Sequence, residues 1–142
     1  MAIIIPCAGK SSRYSTYLPK YMLHFNKDSK FYDKIVEPYI NSEEIYFIIP
    51  SNHEKKFGSI SEIRNKYKKN KNVKVFNINK ETSGPAETIN ELAKKINTKI
   101  FIKDCDSFFD LSLKKENSIA VVNLKKYPTI KNIISKSFAV FD

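Results

Sequence analysis

The amino-acid sequence predicts an α/β fold in which a doubly wound, mostly parallel β-sheet is flanked by helices. The first apolar segment, residues 3–6, is a continuous run rather than an alternating one, which is typical of a central strand buried on both faces of a parallel sheet. Strand and helix patterns also alternate along most of the chain. No internal repeat or linker interrupts this order, so we expect a single domain over residues 1–142.

Six strands are predicted, and turn or helix signals separate the first four. These strands are expected at residues 3–6, 45–50, 73–78, 99–103, 119–124 and 137–141. In such a sheet, ligands bind beyond the carboxyl ends of the strands, where the strand order reverses. The polar residues that follow the first and fourth strands are therefore the first place to look for a site.

The helices are predicted from apolar spacing and from their start signals. A helix is expected over residues 31–40, although it contains Pro38. Two capping-box patterns, Ser51 with Glu54 and Ser59 with Glu62, predict helix starts on either side of Gly58. A further helix begins at Gly84-Pro85 and presents one apolar stripe, formed by Ile89, Leu92, Ala93 and Ile96.

Composition excludes several classes of protein. Hydrophobic residues make up 42% of the chain, which argues against disorder. No apolar run approaches the roughly 18–20 residues that cross a bilayer, so no membrane segment is predicted. Cys7 and Cys105 are too few for a disulfide framework, and we expect two reduced thiols in a cytoplasmic protein.

The formal charge of +10 raises the possibility of a nucleic-acid-binding domain. The one dense basic run, residues 66–71, follows a helical pattern and precedes a strand, so a solvated helix end is the simpler interpretation. We therefore expect no nucleic-acid partner, and a basic nucleic-acid-binding domain is kept as the alternative. Positive charge would still attract a nucleotide.

Small and basic residues follow the first strand: Ala8, Gly9, Lys10, Ser11, Ser12 and Arg13. Small residues let backbone N–H groups approach a phosphate closely. Arg13 and, further on, Lys20 could contact phosphate oxygens. An ordinary polar turn with two surface cations is the alternative. A P-loop is excluded, because its pattern requires glycine at the position occupied by Ile4.

Two other segments could carry chemistry. Asp104 and Asp106 end the fourth strand on alternate positions, so both carboxylates could bind one Mg²⁺ ion. Gly84, Pro85, Ala86 and Thr88 form a turn into a helix that could contact a nucleotide base or a phosphate. Taken separately, a plain turn and a plain helix start explain these segments equally well.

Read together, the three segments resemble the sugar-phosphate nucleotidyltransferase family. The string IPCAGKSSR at residues 5–13, followed by Pro19-Lys20, is similar to the family signature. Gly84-Pro85-Ala86 is similar to its central Gly-x-Ala segment, and the string CDSFF at residues 105–109 to its metal-binding aspartate and following aromatic residue. The resemblance extends from about residue 2 to residue 109, and is greatest to bacterial members that make precursors of capsule or surface polysaccharide.

This resemblance implies a Rossmann-like sheet and a defined chemistry. A nucleoside monophosphate would pass from an NTP to a sugar 1-phosphate or another phosphomonoester, with release of pyrophosphate. Residues 8–12 would bind the NTP phosphates, Arg13 the departing pyrophosphate, and Lys20 the α-phosphate or the acceptor phosphate. Residues 84–88 would lie against the base and ribose, and Asp106 would bind Mg²⁺. No catalytic histidine is needed, and His24 and His53 are predicted to be surface or helix-start residues.

The sequence departs from the family in two respects. Ser11 stands where the family usually has a second glycine in the first loop. Family catalytic domains also continue beyond 142 residues, into a half that supplies the acceptor pocket and a second metal-binding aspartate. We therefore expect a truncated domain, completed by a missing half or by self-association. A non-catalytic or degenerate nucleotide-binding module is the main alternative to an enzyme.

Overall fold

The computed structural model describes residues 1–9, 18–41, 43–106 and 108. The strands within these residues are β1 (Ala2–Pro6), β2 (Glu44–Pro50), β3 (Val73–Ile78) and β4 (Ile100–Ile102). The helices are α1 (Phe31–Val36), α2 (Ser51–Phe57), α3 (Ser59–Lys66) and α4 (Pro85–Ala93), with one 3₁₀ turn at Lys20–Met22. These residues all lie in the first of two units of the chain, Met1–Leu111, so the single domain over residues 1–142 stays a prediction.

The four strands form one parallel sheet in the order β3-β2-β1-β4. The chain builds outward from β1 to β3 and then returns to add β4 on the other side of β1. This reversal defines a doubly wound sheet and places the switch point between β1 and β4. The predicted fold class, a Rossmann-like α/β sheet flanked by helices, is confirmed.

Helices cover both faces of the sheet, which explains why its inner strands are apolar throughout. All five residues of β1 are buried. On one face, Ile4 and Ile48 pack with Leu92 of α4 in a cluster of buried residues. On the other face, Tyr32 of α1 packs edge-on against Phe47 of β2, with ring centroids 6.4 Å apart. Each fully buried isoleucine of this kind stabilises the fold by roughly 1.5–3 kcal/mol.

Several predicted boundaries shift by a few residues. The helix expected over residues 31–40 ends at Val36 and continues as turns, because Pro38 has no N–H to extend the helical hydrogen bonds. The fourth strand is shorter than predicted, and covers three residues. The strands predicted at 119–124 and 137–141 lie outside the described residues.

Both predicted capping boxes are wrong, although the helix starts they indicate are correct. The N-cap residues are Pro50 and Gly58, and neither helix has a side-chain cap. The Ser51 hydroxyl instead donates to the Ile78 carbonyl at 3.1 Å, and Glu54 accepts the Ile60 N–H at 2.7 Å. Contacts with neighbouring elements therefore replace the local pattern.

The second capping box fails for the same reason. The Ser59 hydroxyl accepts a hydrogen bond from Tyr21, and Glu62 pairs with Lys30 at 2.6 Å. Two glycine predictions are confirmed. Gly58 separates α2 from α3 with a left-handed backbone, φ +63°, and Gly84 is the N-cap of α4 directly before Pro85. Within the described ranges, no helix is both long and apolar enough to cross a membrane.

Candidate nucleotide site

The carboxyl ends of β1 and β4 meet at one edge of the sheet. Cys7, Ala8 and Gly9 follow β1, and residues 103–106 follow β4. The two strands pair in register up to Ile4 and Ile102, and the Lys103 N–H then donates to the Ile4 carbonyl at 2.9 Å. The two segments that the sequence singled out for phosphate and metal therefore lie side by side at the switch point.

Lys20 and Asp106 form an ion pair at this edge. The Lys20 Nζ lies 2.7 Å from the Asp106 Oδ2, and their side chains are 19% and 38% exposed. Lys20 begins the 3₁₀ turn after Pro19, and the next two residues, Tyr21 and Met22, are buried. Their burial holds the turn against the protein and keeps the Lys20 ammonium at the strand ends.

Phe108 fixes the segment that carries Asp106 on its other side. Its ring packs edge-on against Phe31, with centroids 4.8 Å apart, and against Phe25 at 5.2 Å. Edge-to-face aromatic pairs of this kind contribute about 0.5–1.5 kcal/mol each beyond the burial of their surface. The aromatic residue that follows the predicted metal-binding aspartate thus anchors this segment to residues 25–31.

Only part of the predicted phosphate loop falls among the described residues. Ala8 is fully buried, and Gly9 is exposed. Lys10, Ser11, Ser12 and Arg13 lie outside the described residues, so their roles in binding phosphate stay predictions. An exposed Gly9 leaves the backbone open at the point where a phosphate would approach.

The segment before α4 is hydrogen-bonded to the start of the predicted phosphate loop. The Thr82 N–H donates to the Ala8 carbonyl at 3.3 Å. The Thr82 hydroxyl is hydrogen-bonded to the Thr88 hydroxyl, and Thr88 Oγ1 also lies 3.1 Å from the Gly84 carbonyl oxygen. The Thr88 side chain is therefore buried in the start of α4, whereas Pro85 and Ala86 are exposed.

Glu87 organises the same turn, and the sequence did not point to it. Its carboxylate accepts the Ser83 N–H and the Ser83 hydroxyl, both at 2.8 Å, and pairs with Lys80 at 2.7 Å. The hydrogen bond from Lys80 and those from Ser83 lower the pKa of Glu87 to about 2. The spacing of Ser83 and Glu87 is one residue longer than a capping box, so no standard motif could have found this pair.

The two aspartates after β4 are both exposed and supply only oxygen ligands, as a hard cation such as Mg²⁺ requires. Among the described residues no group of three or more histidine, cysteine, aspartate or glutamate side chains could hold a metal ion. Asp104 and Asp106 fit Mg²⁺ only in the manner common for this ion, in which one or two carboxylates are completed by substrate phosphates and water.

Lys103 is a second residue that sequence reasoning missed. Its side chain is only 2% exposed, although it was predicted simply to end a strand. Burial lowers the pKa of Lys103, and the nearby charges of Asp104 and Asp106 oppose this shift. Lys103 therefore places a buried amine directly before Asp104, at the carboxyl end of β4.

Both histidines lie where the sequence predicted, on the surface or at a helix start. His24 is exposed, and His53 does lie in the first turn of α2, but its side chain is buried at 6% exposure. The Tyr21 hydroxyl oxygen lies 3.0 Å from His53 Nδ1, and the hydroxyl donates to Ser59 at 3.0 Å. Burial lowers the pKa of His53. The network therefore supports the turn that carries Lys20.

The two cysteines are free thiols and follow β1 and β4. Cys7 is buried at 3% exposure, and Cys105 is half-buried. Burial raises the pKa of the Cys7 thiol, and hydrogen bonding with Cys7 lowers that of Cys105. The pair lies at the carboxyl ends of the same two strands as the candidate site.

Comparison with known proteins adds one informative match. No protein-family profile matches the chain, and no curated protein does. The chain is similar to the crystal structure of a nucleoside-diphosphate-sugar pyrophosphorylase from Vibrio cholerae RC9, with 28% sequence identity and a TM-score of 0.60. The match covers 78% of this chain and 50% of that one, so this chain spans half the length of its structural relative. The α/β fold of this chain is therefore similar to that of a nucleoside-diphosphate-sugar pyrophosphorylase.

Proposed function

We propose that this chain provides the nucleotide-binding part of a nucleotidyltransferase. The reaction would transfer a nucleoside monophosphate from an NTP to a sugar 1-phosphate or another phosphomonoester and release pyrophosphate. The product would serve the synthesis of surface polysaccharide. The observation that carries this proposal is the meeting of Lys20 and Asp106 at the switch point, beside the loop that begins with Ala8 and Gly9. The likeness to a pyrophosphorylase supports it.

The described residues suit this chemistry because it depends on positioning and charge neutralisation. The acceptor phosphate oxygen would attack the α-phosphorus while pyrophosphate leaves. Lys20 would give up its bond to Asp106 and contact a phosphate oxygen of the nucleotide. The turn at Gly84 would present its backbone to the base and ribose, since Thr82 holds this turn against Ala8.

Mg²⁺ is the cofactor proposed for this site, with Asp106 as its main ligand and Asp104 as the second. When bound, the ion would neutralise charge on the nucleotide phosphates. The ion pair with Lys20 would hold the Asp106 carboxylate in place at the strand ends.

The proposal is tested by thermal unfolding with ATP, CTP, GTP, UTP and dTTP, each with and without Mg²⁺. Since a ligand that binds only the folded chain raises its melting temperature, one NTP is expected to give a clear Mg²⁺-dependent increase. Lys20→Ala is expected to reduce this increase strongly. Lys30→Ala is the matched control, because Lys30 is also paired with a carboxylate and is exposed to the same extent, 18% against 19%.

The results of this experiment distinguish an enzyme from a non-catalytic nucleotide-binding module. An increase that survives Lys20→Ala would contradict the assigned site, and no increase with any NTP would contradict nucleotide binding by these 142 residues. Binding without pyrophosphate release, measured with a panel of sugar 1-phosphates, would favour a non-catalytic nucleotide-binding module.

A further inference from the structure

Tyr21, the residue directly after Lys20, is held by side chains from two other elements. Its hydroxyl donates to the Ser59 Oγ of α3 at 3.0 Å, and its oxygen lies 3.0 Å from the Nδ1 of His53 in α2. The side chains of Tyr21, Ser59 and His53 are all buried. Because a buried polar group is costly to leave without a partner, these contacts favour one position of the Tyr21 hydroxyl.

Ring contacts restrain Tyr21 as well. Its ring stacks on that of His53, with centroids 5.9 Å apart and an angle of 26° between the planes. His53 packs edge-on against Phe57, the last residue of α2, at 5.8 Å. The ring and the hydroxyl of Tyr21 are therefore both held by the two helices that meet at Gly58.

The position of Tyr21 determines where the Lys20 side chain begins. Both residues lie in the same 3₁₀ turn, which ends where the Leu23 N–H donates to the Lys20 carbonyl at 3.0 Å. A lysine side chain is long and flexible, so a fixed backbone limits the positions that its ammonium can reach. From this turn the Lys20 ammonium reaches the Asp106 carboxylate at 2.7 Å.

We propose that Tyr21 is a positioning residue of the site, and that its hydroxyl, held between Ser59 and His53, keeps the Lys20 ammonium where it binds the nucleotide. The hydroxyl acts through Lys20 and not by contact with the nucleotide. This effect on binding rests on the proposed function. An ammonium that is already held in place loses less conformational freedom when a phosphate binds, so the nucleotide binds more tightly.

Tyr21→Phe tests the proposal because it removes the hydroxyl and keeps the ring, and Tyr32→Phe is its matched control. Both tyrosines are 1% exposed, and the Tyr32 hydroxyl also donates to a side chain, Glu62, at 2.6 Å. Each variant therefore loses a buried hydroxyl and its hydrogen bond, but only Tyr21 is next to Lys20. Circular dichroism and urea unfolding show whether each variant is folded and how much stability it has lost.

The first measurement follows Lys20 without any nucleotide. In a chain labelled with ¹³C-lysine, NMR relaxation of the Cε atom gives an order parameter for the end of each lysine side chain. The signal of Lys20 is assigned by its absence from Lys20→Ala. Its order parameter is expected to fall in Tyr21→Phe and to stay unchanged in Tyr32→Phe.

Ser59→Ala removes the acceptor of the Tyr21 hydroxyl, so it should change the Lys20 order parameter in the same direction. This variant takes the place of Tyr21→Phe if that variant does not fold. An unchanged order parameter in the folded variant would overturn the proposal. An equal fall in Tyr32→Phe would also overturn it, since loss of any buried hydroxyl would then have the same effect.

The second measurement is nucleotide affinity, obtained by calorimetric titration with Mg²⁺ and the NTP that stabilises the wild-type chain. Tyr21→Phe is expected to bind this NTP several-fold more weakly, and Tyr32→Phe is expected to bind it as wild type does. Equal affinities in wild type and Tyr21→Phe would overturn the role of Tyr21 in binding. Equal losses in both variants would contradict a specific effect through Lys20.

The two measurements separate this proposal from the proposed function. If no NTP binds to the wild-type chain, the proposed function falls, and the order parameter still decides whether Tyr21 positions the Lys20 ammonium. If an NTP binds equally well to wild type and Tyr21→Phe, the proposed function stands and the positioning role falls.

Discussion

The Lys20 ammonium and the Asp106 carboxylate, 86 positions apart in the chain, meet at 2.7 Å. The ammonium suits a phosphate and the carboxylate suits a divalent cation. Because the two side chains carry opposite charges, they neutralise each other when no ligand is bound. If a nucleotide bound together with Mg²⁺, a phosphate would replace Asp106 as the partner of Lys20, and Mg²⁺ would replace Lys20 as the partner of Asp106. After this exchange, both Lys20 and Asp106 would still have a partner of opposite charge.

Asp106→Asn is expected to abolish the Mg²⁺-dependent part of nucleotide binding, because an amide is a much weaker ligand for this ion than a carboxylate. The chain should stay folded, since partly exposed ion pairs contribute only about 0–1 kcal/mol. Thermal unfolding with NTP, with and without Mg²⁺, measures both effects. Asp28→Asn changes an exposed carboxylate to which no role in Mg²⁺ binding is assigned, so it is the control and should keep the full Mg²⁺ effect.

Thr88→Val is expected to destabilise the protein by about 0.5–1.5 kcal/mol, because it removes the hydrogen bond between the buried Thr82 and Thr88 hydroxyls, while the Thr82 hydroxyl can still donate to the Gly84 carbonyl. Valine has nearly the same shape as threonine, so packing changes little. The free energy of unfolding in urea measures the loss. Thr98→Val, at an exposed position, should leave stability almost unchanged, and an equal loss in both variants would contradict the role of the hydroxyl pair.

His53 is expected to make the stability of the protein depend on pH. Burial lowers the pKa of His53 in the folded state, so the unfolded chain binds a proton at a higher pH than the folded chain does. Its contribution to stability is therefore complete above the ordinary histidine pKa of about 6.5 and decreases as the pH falls through the lower folded value.

Urea unfolding between about pH 7.5 and about pH 5.5 tests this expectation, since the range spans the ordinary histidine pKa. Wild type should lose stability across the range, and His53→Gln should lose less of it. His24→Gln replaces the other histidine, which is exposed, and should behave as wild type does. The same pH dependence in all three proteins would show that His53 is not responsible.

Gly58→Ala is expected to cost about 1–2 kcal/mol, because Gly58 has a left-handed backbone, φ +63°, that disfavours a side chain. A methyl group at this position would meet no atom within 4 Å, so the cost comes from the backbone alone. Gly58→Asn should recover part of the loss, since asparagine tolerates this conformation. Unfolding in urea gives the three values.

Gly84→Ala provides the opposite case. The Gly84 backbone is extended, and an added methyl group would also meet nothing within 4 Å. Its stability should therefore stay within about 0.5 kcal/mol of wild type, as for an ordinary surface substitution. A reduced nucleotide-induced increase in melting temperature, at unchanged stability, would support close approach of a nucleotide to this turn. An unchanged increase would contradict it.

The sequence predicted the sheet well because the physical signal is strong there. Strands β1 and β2 contain continuous apolar runs, which are typical of strands covered on both faces, whereas β3 at the sheet edge mixes polar and apolar residues. Gly84-Pro85 likewise marked the start of α4, since proline suits the first helical position. The contact between Lys20 and Asp106 was not predicted: the resemblance gave each residue a role in the site, and no local pattern links residues so far apart.

Side-chain partners were harder to predict, since they come from distant elements. Ser51 and Glu54 matched a capping box, but both found partners elsewhere in the fold. His53 is hydrogen-bonded to Tyr21, 32 positions away, and Lys103 is buried although it directly follows a strand end. In each case the competing contact lies outside the window in which a sequence pattern can be recognised.

The strand order has a consequence for how the site arises during synthesis. β1 is made first, but β4, which completes its other side, is made last of the four strands. A nascent chain that has emerged as far as β3 can pair three strands but has no Asp106 to place beside Lys20. Closing this contact spans most of the described chain, and such long-range pairings form slowly. The proposed site would therefore be completed late in folding, and a stalled or partly folded chain would lack it.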